Sequence, residues 1–286
     1  MSKLNVTIFS RALYSSWCHH PTHDLLFDCG EGCATHLGNS MPGIDKIFLS
    51  HDHGDHTLGL FSFIGCRNNC QGTSKNADTM GEHNKPLTIY YPKESRNIGD
   101  IIEFVEKRYG GWLRYKLTWV PIEIGFELEL GKDTYLRAFE TKHNLKPGAS
   151  LAYVIYTNRT KLKPEFVGKD IPALIKSGVN KADLTMNFRA NLFAYCLDAF
   201  NIPNAEELRN CDSVIMDCTF LRMADRTDPT HFTIDEALHL CHEMRVKTMY
   251  AAHISPRYDN FEKIAPSFES EFTGCCVLSN KNINEI

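Results

Sequence analysis

Six consecutive residues, His51-Asp52-His53-Gly54-Asp55-His56, put three imidazoles and two carboxylates into one short stretch. Nitrogen and oxygen donors of this kind suit Zn²⁺ and similar ions. Without a metal the crowding would be costly, because protonated histidines repel one another. In a chain with 13 histidines, the pattern H-x-H-x-D-H would arise by chance about once in a thousand such chains. A merely polar, histidine-rich surface loop is therefore the weaker reading. The stretch follows the apolar run 46–50, so it is expected on a loop at a strand end, where a rigid scaffold presents functional groups.

The positions of these residues must come from short strands and helices. Apolar runs bounded by turn residues predict strands at 4–9, 25–28, 46–50, 87–91, 135–139, 151–156, 192–195, 213–216 and 246–252. Helical spacing predicts helices over 101–109 and 234–245. In the second, Ile234, Ala237, Leu238 and Cys241 share one face, with Thr233 as N-cap and Glu236 completing a capping box. Many strands, often adjacent in sequence, predict an α/β chain of two packed sheets flanked by helices, not one doubly wound parallel sheet. Two segments read as insertions. Residues 67–86 are polar and predict a surface loop over a site; residues 157–189 hold seven Lys or Arg against three Asp or Glu and predict a solvated connector.

Composition narrows the function classes. The 286 residues carry 31 Lys and Arg against 35 Asp and Glu, a net charge of -4. Polyphosphate backbones are gripped by cations, so this balance disfavours a generic nucleic-acid binder. No run of about 18 apolar residues exists, and residues 1–9 lack a signal-peptide core, so a cytoplasmic chain without a membrane partner is expected. Its 11 cysteines are then reduced and read as small core fillers. The pairs Cys29/Cys33 and Cys66/Cys70 do not have the common zinc spacing. A single domain over 1–286 is expected.

These residues also carry a family resemblance. His51–His56 matches the H-x-H-x-D-H signature of the metallo-β-lactamase superfamily, and the chain resembles its ribonuclease Z branch. Leu26-Phe27-Asp28-Cys29-Gly30-Glu31-Gly32 is similar to that branch's first motif, and the text from His51 to Leu60 to its second. His143, ahead of Ser150-Leu151-Ala152-Tyr153, is similar to a further ligand. Tyr195-Cys196-Leu197-Asp198 resembles the segment with a bridging aspartate. His253-Ile254-Ser255-Pro256-Arg257-Tyr258 matches the terminal motif. The resemblance spans about residues 5–260 and implies an αββα sandwich with a dinuclear centre at one edge.

Carried over by position, the resemblance implies one ion on His51, His53 and His143 and a second on Asp55, His56 and His253, with Asp198 bridging. The ions would be Zn²⁺, with Mn²⁺ as the alternative. Met216-Asp217-Cys218-Thr219-Phe220 stands where the branch has a glutamate motif, and His231 where it has the paired histidine. That implies His231 as the acid that protonates the leaving alkoxide and Asp217, one methylene shorter than glutamate, as its partner. Asp55 counts with them among the catalytic residues. Asp52 and Gly54 are expected to shape the loop, and Asp28 to support the ligands.

Relatives of this kind cleave lactams, thioesters and phosphodiesters. Their tRNA-processing members carry a protruding arm; residues 162–178 are similar to its base but lack a Gly-Pro tip, so the arm reads as shortened. Arg11-Ala12-Leu13-Tyr14-Ser15-Ser16-Trp17-Cys18 resembles the phage anti-Pycsar phosphodiesterases, homodimers that hydrolyse cyclic mononucleotides. The expectation is a homodimeric dinuclear-metal phosphodiesterase of 3′,5′-cyclic nucleotides, working in the host cytoplasm if phage-encoded. Segments 67–86 and 157–189 are the candidates for closing over the nucleotide, within one chain or across the dimer interface. The alternative is processing of tRNA 3′ ends. A third reading, from another class, is a non-catalytic cyclic-nucleotide sponge.

Overall fold

The computed structural model describes residues 4–70, 84–143, 146–226, 229–258, 261–271 and 274–286. One sheet contains β1 (Thr7–Arg11), β2 (Ser15–His20), β3 (Leu25–Phe27), β4 (Lys46–Phe48), β5 (Leu87–Pro92) and β6 (Leu117–Ile122). The other contains β7 (Glu127–Gly131), β8 (Thr134–Glu140), β9 (Leu151–Leu162), β10 (Thr185–Cys196), β11 (Ser213–Asp217), β12 (Thr248–Ala252) and β13 (Cys275–Val277). A last strand, β14 (Asn284–Glu285), returns to the first sheet. The orders are β14-β1-β2-β3-β4-β5-β6 and β13-β12-β11-β10-β9-β8-β7.

Alternation of side chains along each strand sorts residues into layers. Leu25, Phe27 and Phe48 of the first sheet meet Tyr153, Phe193, Tyr195 and Ile215 of the second in the buried space between the sheets. The intervening Leu26 and Ile47 point outward onto a layer that includes Phe63, Ile64, Ile98, Ile101 and Val105. These belong to the helices Gly59–Cys70 and Ile98–Tyr109. On the far side Ala194, Val214, Met216 and Met249 pack with Ile234, Ala237, Leu238, Cys241 and Phe268, from the helices Ile234–Glu243 and Phe261–Glu271. The result is the αββα sandwich expected from the sequence. Burying one such aromatic side chain contributes about 2–3 kcal/mol, so the two sheets are held mainly by this apolar layer.

Local signals agree with their elements. The Thr233 hydroxyl accepts the Glu236 N–H at 3.3 Å while the Glu236 carboxylate accepts the Thr233 N–H at 3.0 Å, a capping box whose loss costs about 1 kcal/mol. The first strand begins at Thr7 rather than residue 4 and runs on to Arg11.

Two expectations are corrected. Residues 67–70 are not loop but the last turn of the Gly59–Cys70 helix. Arg67 is fully buried there, with its guanidinium 4.2 Å over the Tyr115 ring and donating to the Lys85 carbonyl at 2.7 Å. Its Nε and Nη1 are buried with no hydrogen-bond partner among the described residues. Of the rest of the expected loop, residues 84–86 lie outside helix and strand, and residues 71–83 are outside the described residues. Residues 157–189 are not a plain connector either. β9 and β10 continue as an antiparallel ribbon from Thr157↔Ala190 to Leu162↔Thr185. The short helices Ile171–Lys176 and Lys181–Leu184 lie between the two strands.

Three turns at one edge of the sandwich prepare the site. β3 to β6 run parallel, as do β10 to β13, so their carboxyl ends gather together, where α/β sheets bind ligands. Asp28, Asp198 and His253 sit just past β3, β10 and β12 and have φ of 55°, 52° and 60°. The left-handed backbone costs each residue about 1–2 kcal/mol and turns its side chain off the strand line. Glycine is required beside them: a β-carbon on Gly59 would lie 2.0 Å from the Gly30 carbonyl oxygen, and one on Gly30 2.3 Å from that of Asp55.

Candidate metal centre

All seven ligand residues read from the sequence converge at that edge. The organiser is Asp198, which is buried and presents its two oxygens to different histidines. Its Oδ2 lies 3.5 Å from His51 Nε2 and 3.6 Å from His143 Nε2. Its Oδ1 lies 3.2 Å from both His56 Nε2 and His253 Nε2. Asp55 Oδ2 stands 3.6 Å from each of the same two nitrogens. His53 Nδ1 comes within 3.2 Å of His143 Nε2.

Two groups result, one of His51, His53, His143 and Asp198, the other of Asp55, His56 and His253. Ligands about 2.0–2.1 Å from a tetrahedral ion sit roughly 3.3 Å apart, so the observed spacings match the edges of coordination shells. The chemistry fits as well. His51 Nε2, His56 Nε2, His253 Nε2 and Asp198 Oδ1 are buried and have no hydrogen-bond partner among the described residues. Buried polar atoms are costly unless something pairs with them, and a cation would satisfy all four.

The opposite nitrogen of each of four histidines is gripped from behind. His56 Nδ1 is 2.7 Å from Asp28 Oδ2, and His51 Nδ1 is 2.9 Å from the Ser50 hydroxyl. That hydroxyl donates to Asp28 at 2.8 Å, and so does Tyr195. His143 Nδ1 meets the Thr230 carbonyl at 2.9 Å, which requires Nδ1–H and leaves Nε2 with its lone pair. His253 Nδ1 is 2.9 Å from the Thr219 hydroxyl. Such outer partners fix ring orientation and raise basicity. Asp28, expected as a supporter, is the hub of this layer. Ser50, Tyr195, Thr219 and Thr230 were not read from sequence. The available signal was their adjacency to Asp28-linked or Asp217-linked motif residues.

A further grouping of Asp198, Asp217, His231 and His253 also converges. Asp217, however, is already filled. Its Oδ1 accepts the Thr219 N–H and hydroxyl at 2.9 and 2.7 Å, and its Oδ2 accepts the Ala199 N–H at 2.9 Å. The same Oδ2 lies 2.7 Å from His231 Nδ1. Asp217 is therefore built to orient His231, despite being one methylene shorter than glutamate. Asp52 accepts the Arg96 and Asn97 N–H groups at 2.8 Å, tying its loop to the start of the Ile98–Tyr109 helix.

Electrostatics divides the histidines. Burial, then the charge of His56, holds His51 well below its usual pKa, and burial also lowers His143. Both are neutral and ready to ligate. Burial opposes the charged form of His56, yet Asp198 and Asp28 on either side hold it well above the usual value. Asp198 is pulled the other way: burial favours its neutral acid, but His253, His56 and His51 keep it well below the carboxylate range. His231 is half-buried, and although burial opposes its charged form, the charge and hydrogen bond of Asp217, with Asp198 behind, raise it to about 9.

The cluster opens into a cavity of about 400 Å³ lined by His53, Asp55, His143, Asp198, His231 and His253, together with Ala12, Leu13, Phe220, Ser255 and Arg257. No residue of 157–189 lines it. Among the described residues no candidate metal group contains a cysteine, and no helix is long and apolar enough to cross a membrane.

Comparison with known proteins agrees with this geometry. The beta-lactamase superfamily domain pattern matches residues 23–163. The ribonuclease BN of Escherichia coli is 31% identical over 267 residues, covering 84% of this chain and 82% of that protein. Human tRNase Z, short form, superimposes with a TM-score of 0.66 at 18% identity over 99% of both chains. Zn²⁺-bound PqqB from Methylobacterium extorquens does so at 0.59 and 12%, over 99% of this chain and 100% of that one. The chain belongs to the metallo-β-lactamase superfamily and is a metal-dependent hydrolase.

Proposed function

We propose that the chain is a dinuclear phosphodiesterase whose substrates are 3′,5′-cyclic nucleotides. His51, His53, His143 and Asp198 Oδ2 would hold one divalent ion, and Asp55, His56, His253 and Asp198 Oδ1 the other. Zn²⁺ suits this nitrogen and oxygen donor set, with Mn²⁺ as the alternative. Two such ions supply charge neutralisation and an activated water for phosphodiester hydrolysis. The chain's own residues do the rest. His231, held by Asp217 in the tautomer with Nδ1 engaged, keeps its proton on Nε2 and donates it to the leaving oxygen. Asp55 belongs to the catalytic set through its position between His56 and His253.

The observation that carries the substrate class is the cavity. At about 400 Å³ it falls in the range of small-molecule sites, about 300–1,000 Å³. Arg257 is its only Lys or Arg among the described lining residues, enough for a mononucleotide phosphate and little for a long polyanion. This reading makes the protein a homodimer, with the basic ribbon free to serve a second copy, and places it in the disarming of cyclic-nucleotide defence. A second reading, trimming of tRNA 3′ ends, is favoured by the ribonuclease BN similarity. Metal-loaded protein incubated with 3′,5′-cyclic nucleotides and with a 3′-extended tRNA separates the two. Mononucleotide product is expected. Clean tRNA trimming with every cyclic nucleotide left intact would overturn the reading.

A further inference from the structure

The turn joining β1 to β2 breaks a conformational rule at the mouth of the cavity. Tyr14 N–H closes it onto the Arg11 carbonyl at 3.1 Å, and Leu13, the third of its four residues, has φ of 70°. A turn with positive φ at that position normally takes glycine or asparagine. Among the described non-glycine residues with positive φ, five of eight are Asp or Asn, and Leu13 is the only aliphatic one. Its side chain is also 81% exposed. The position therefore bears two costs, backbone strain and apolar surface in water, and neither is offset by packing in the chain itself. Strain of this kind gathers at ligand clamps.

What the side chain borders is the metal cavity, whose lining includes Ala12, Leu13, Phe220, Ser255 and Arg257 beside the histidines. Arg257 is anchored at 5.2 Å over the Phe220 ring and donates to the Asp225 carbonyl at 2.9 Å. The cavity thus has a metal-binding wall for a phosphate and an apolar rim for something flat attached to it. We propose that Leu13 is a specificity residue that packs against the nucleobase of a bound nucleotide while the phosphate lies at the metal centre. This deepens the phosphodiesterase reading and rests on it.

The test uses metal-loaded protein and a small reporter diester, methyl p-nitrophenyl phosphate, with 5′-AMP and base-free ribose 5-phosphate as competing inhibitors. Leu13→Gly suits a φ of 70° and removes the side chain, so its melting midpoint should be no lower than that of the native protein. The preference for AMP over ribose 5-phosphate, read as the ratio of inhibition constants, should fall about tenfold in Leu13→Gly. Leu13→Met, apolar and of similar reach, should restore most of it. An unchanged ratio in folded Leu13→Gly would overturn the proposal. If the native protein instead leaves cyclic nucleotides intact, the substrate reading falls, while the inhibitor ratio still decides whether Leu13 contacts a base.

Discussion

Two histidine clusters sit at opposite ends of the same sheets, and only one is built for metal. His20 and His23, beside His19, border a cavity at the end where β11 begins, lined also by Phe193, Asp212 and Ser213. Their rings stack on each other at 5.3 Å, and His20 tilts against Phe193 at the same distance. His20 Nδ1 is buried with no partner among the described residues. Burial lowers the pKa of all three, that of His20 to about 4. The metal-edge histidines differ in one respect. Their rings are aimed by Asp28, Ser50, Thr219 and the Thr230 carbonyl, and converge on the oxygens of Asp198. Proximity of imidazoles is common to both ends; convergence on a shared carboxylate belongs to one.

Breaking that carboxylate should have the largest effect. Asp198→Ala is expected to lower diester turnover by about 10³-fold or more, the scale of several kcal/mol of lost charge stabilisation. His20→Phe should leave turnover unchanged. Kinetics on purified variants compares the two directly. Next comes proton transfer: His231→Ala should reduce kcat by about 10²–10⁴-fold while metal content, measured by mass spectrometry, stays at the native level. Loss of metal together with kcat would make His231 a ligand rather than an acid. Asp28→Asn touches only the supporting layer and should weaken metal affinity by about 10–100-fold, visible in a chelator competition.

The smallest effects are in pH, and they run in opposite directions at the two ends. In metal-free protein the folded pKa of His231 is raised to about 9, above its unfolded value of about 6.5. Its stabilisation is therefore complete below pH 6.5 and lost as pH rises through about 9. His20 is depressed to about 4, so its contribution is intact above about 6.5 and lost as pH falls toward 4. Melting curves should show His231→Gln converging with the native protein at high pH. His20→Phe should be less sensitive to acid than the native protein. Parallel curves for either variant would contradict its assignment.

Much of this was legible in the residues. H-x-H-x-D-H after an apolar run announced a functional stretch past a strand end, although its second half is the short helix Gly54–Thr57 rather than loop. Many apolar runs close together in sequence announced two sheets. The capping box at Thr233 marked a helix start correctly. The β9–β10 ribbon was missed because its outer half is exposed on both faces, with a burial pattern that fades from fully buried to exposed after Tyr156. Strands paired only with each other in solvent leave no hydrophobic period to read. Arg67 was missed because a charged residue in a polar run gives no sign that Tyr115 and a backbone carbonyl will receive it. The strained Leu13 turn was also hidden, since a leucine carries no signal of positive φ.

In the proposed centre two ions share Asp198 and act together. Protein stripped with chelator and titrated with Zn²⁺ or Mn²⁺, with bound metal and diester turnover recorded at each addition, tests it most directly. Saturation is expected at two ions per chain, with most of the activity appearing as the second site fills. Full activity at one bound ion per chain, or the same activity curve in Asp198→Ala, would contradict it.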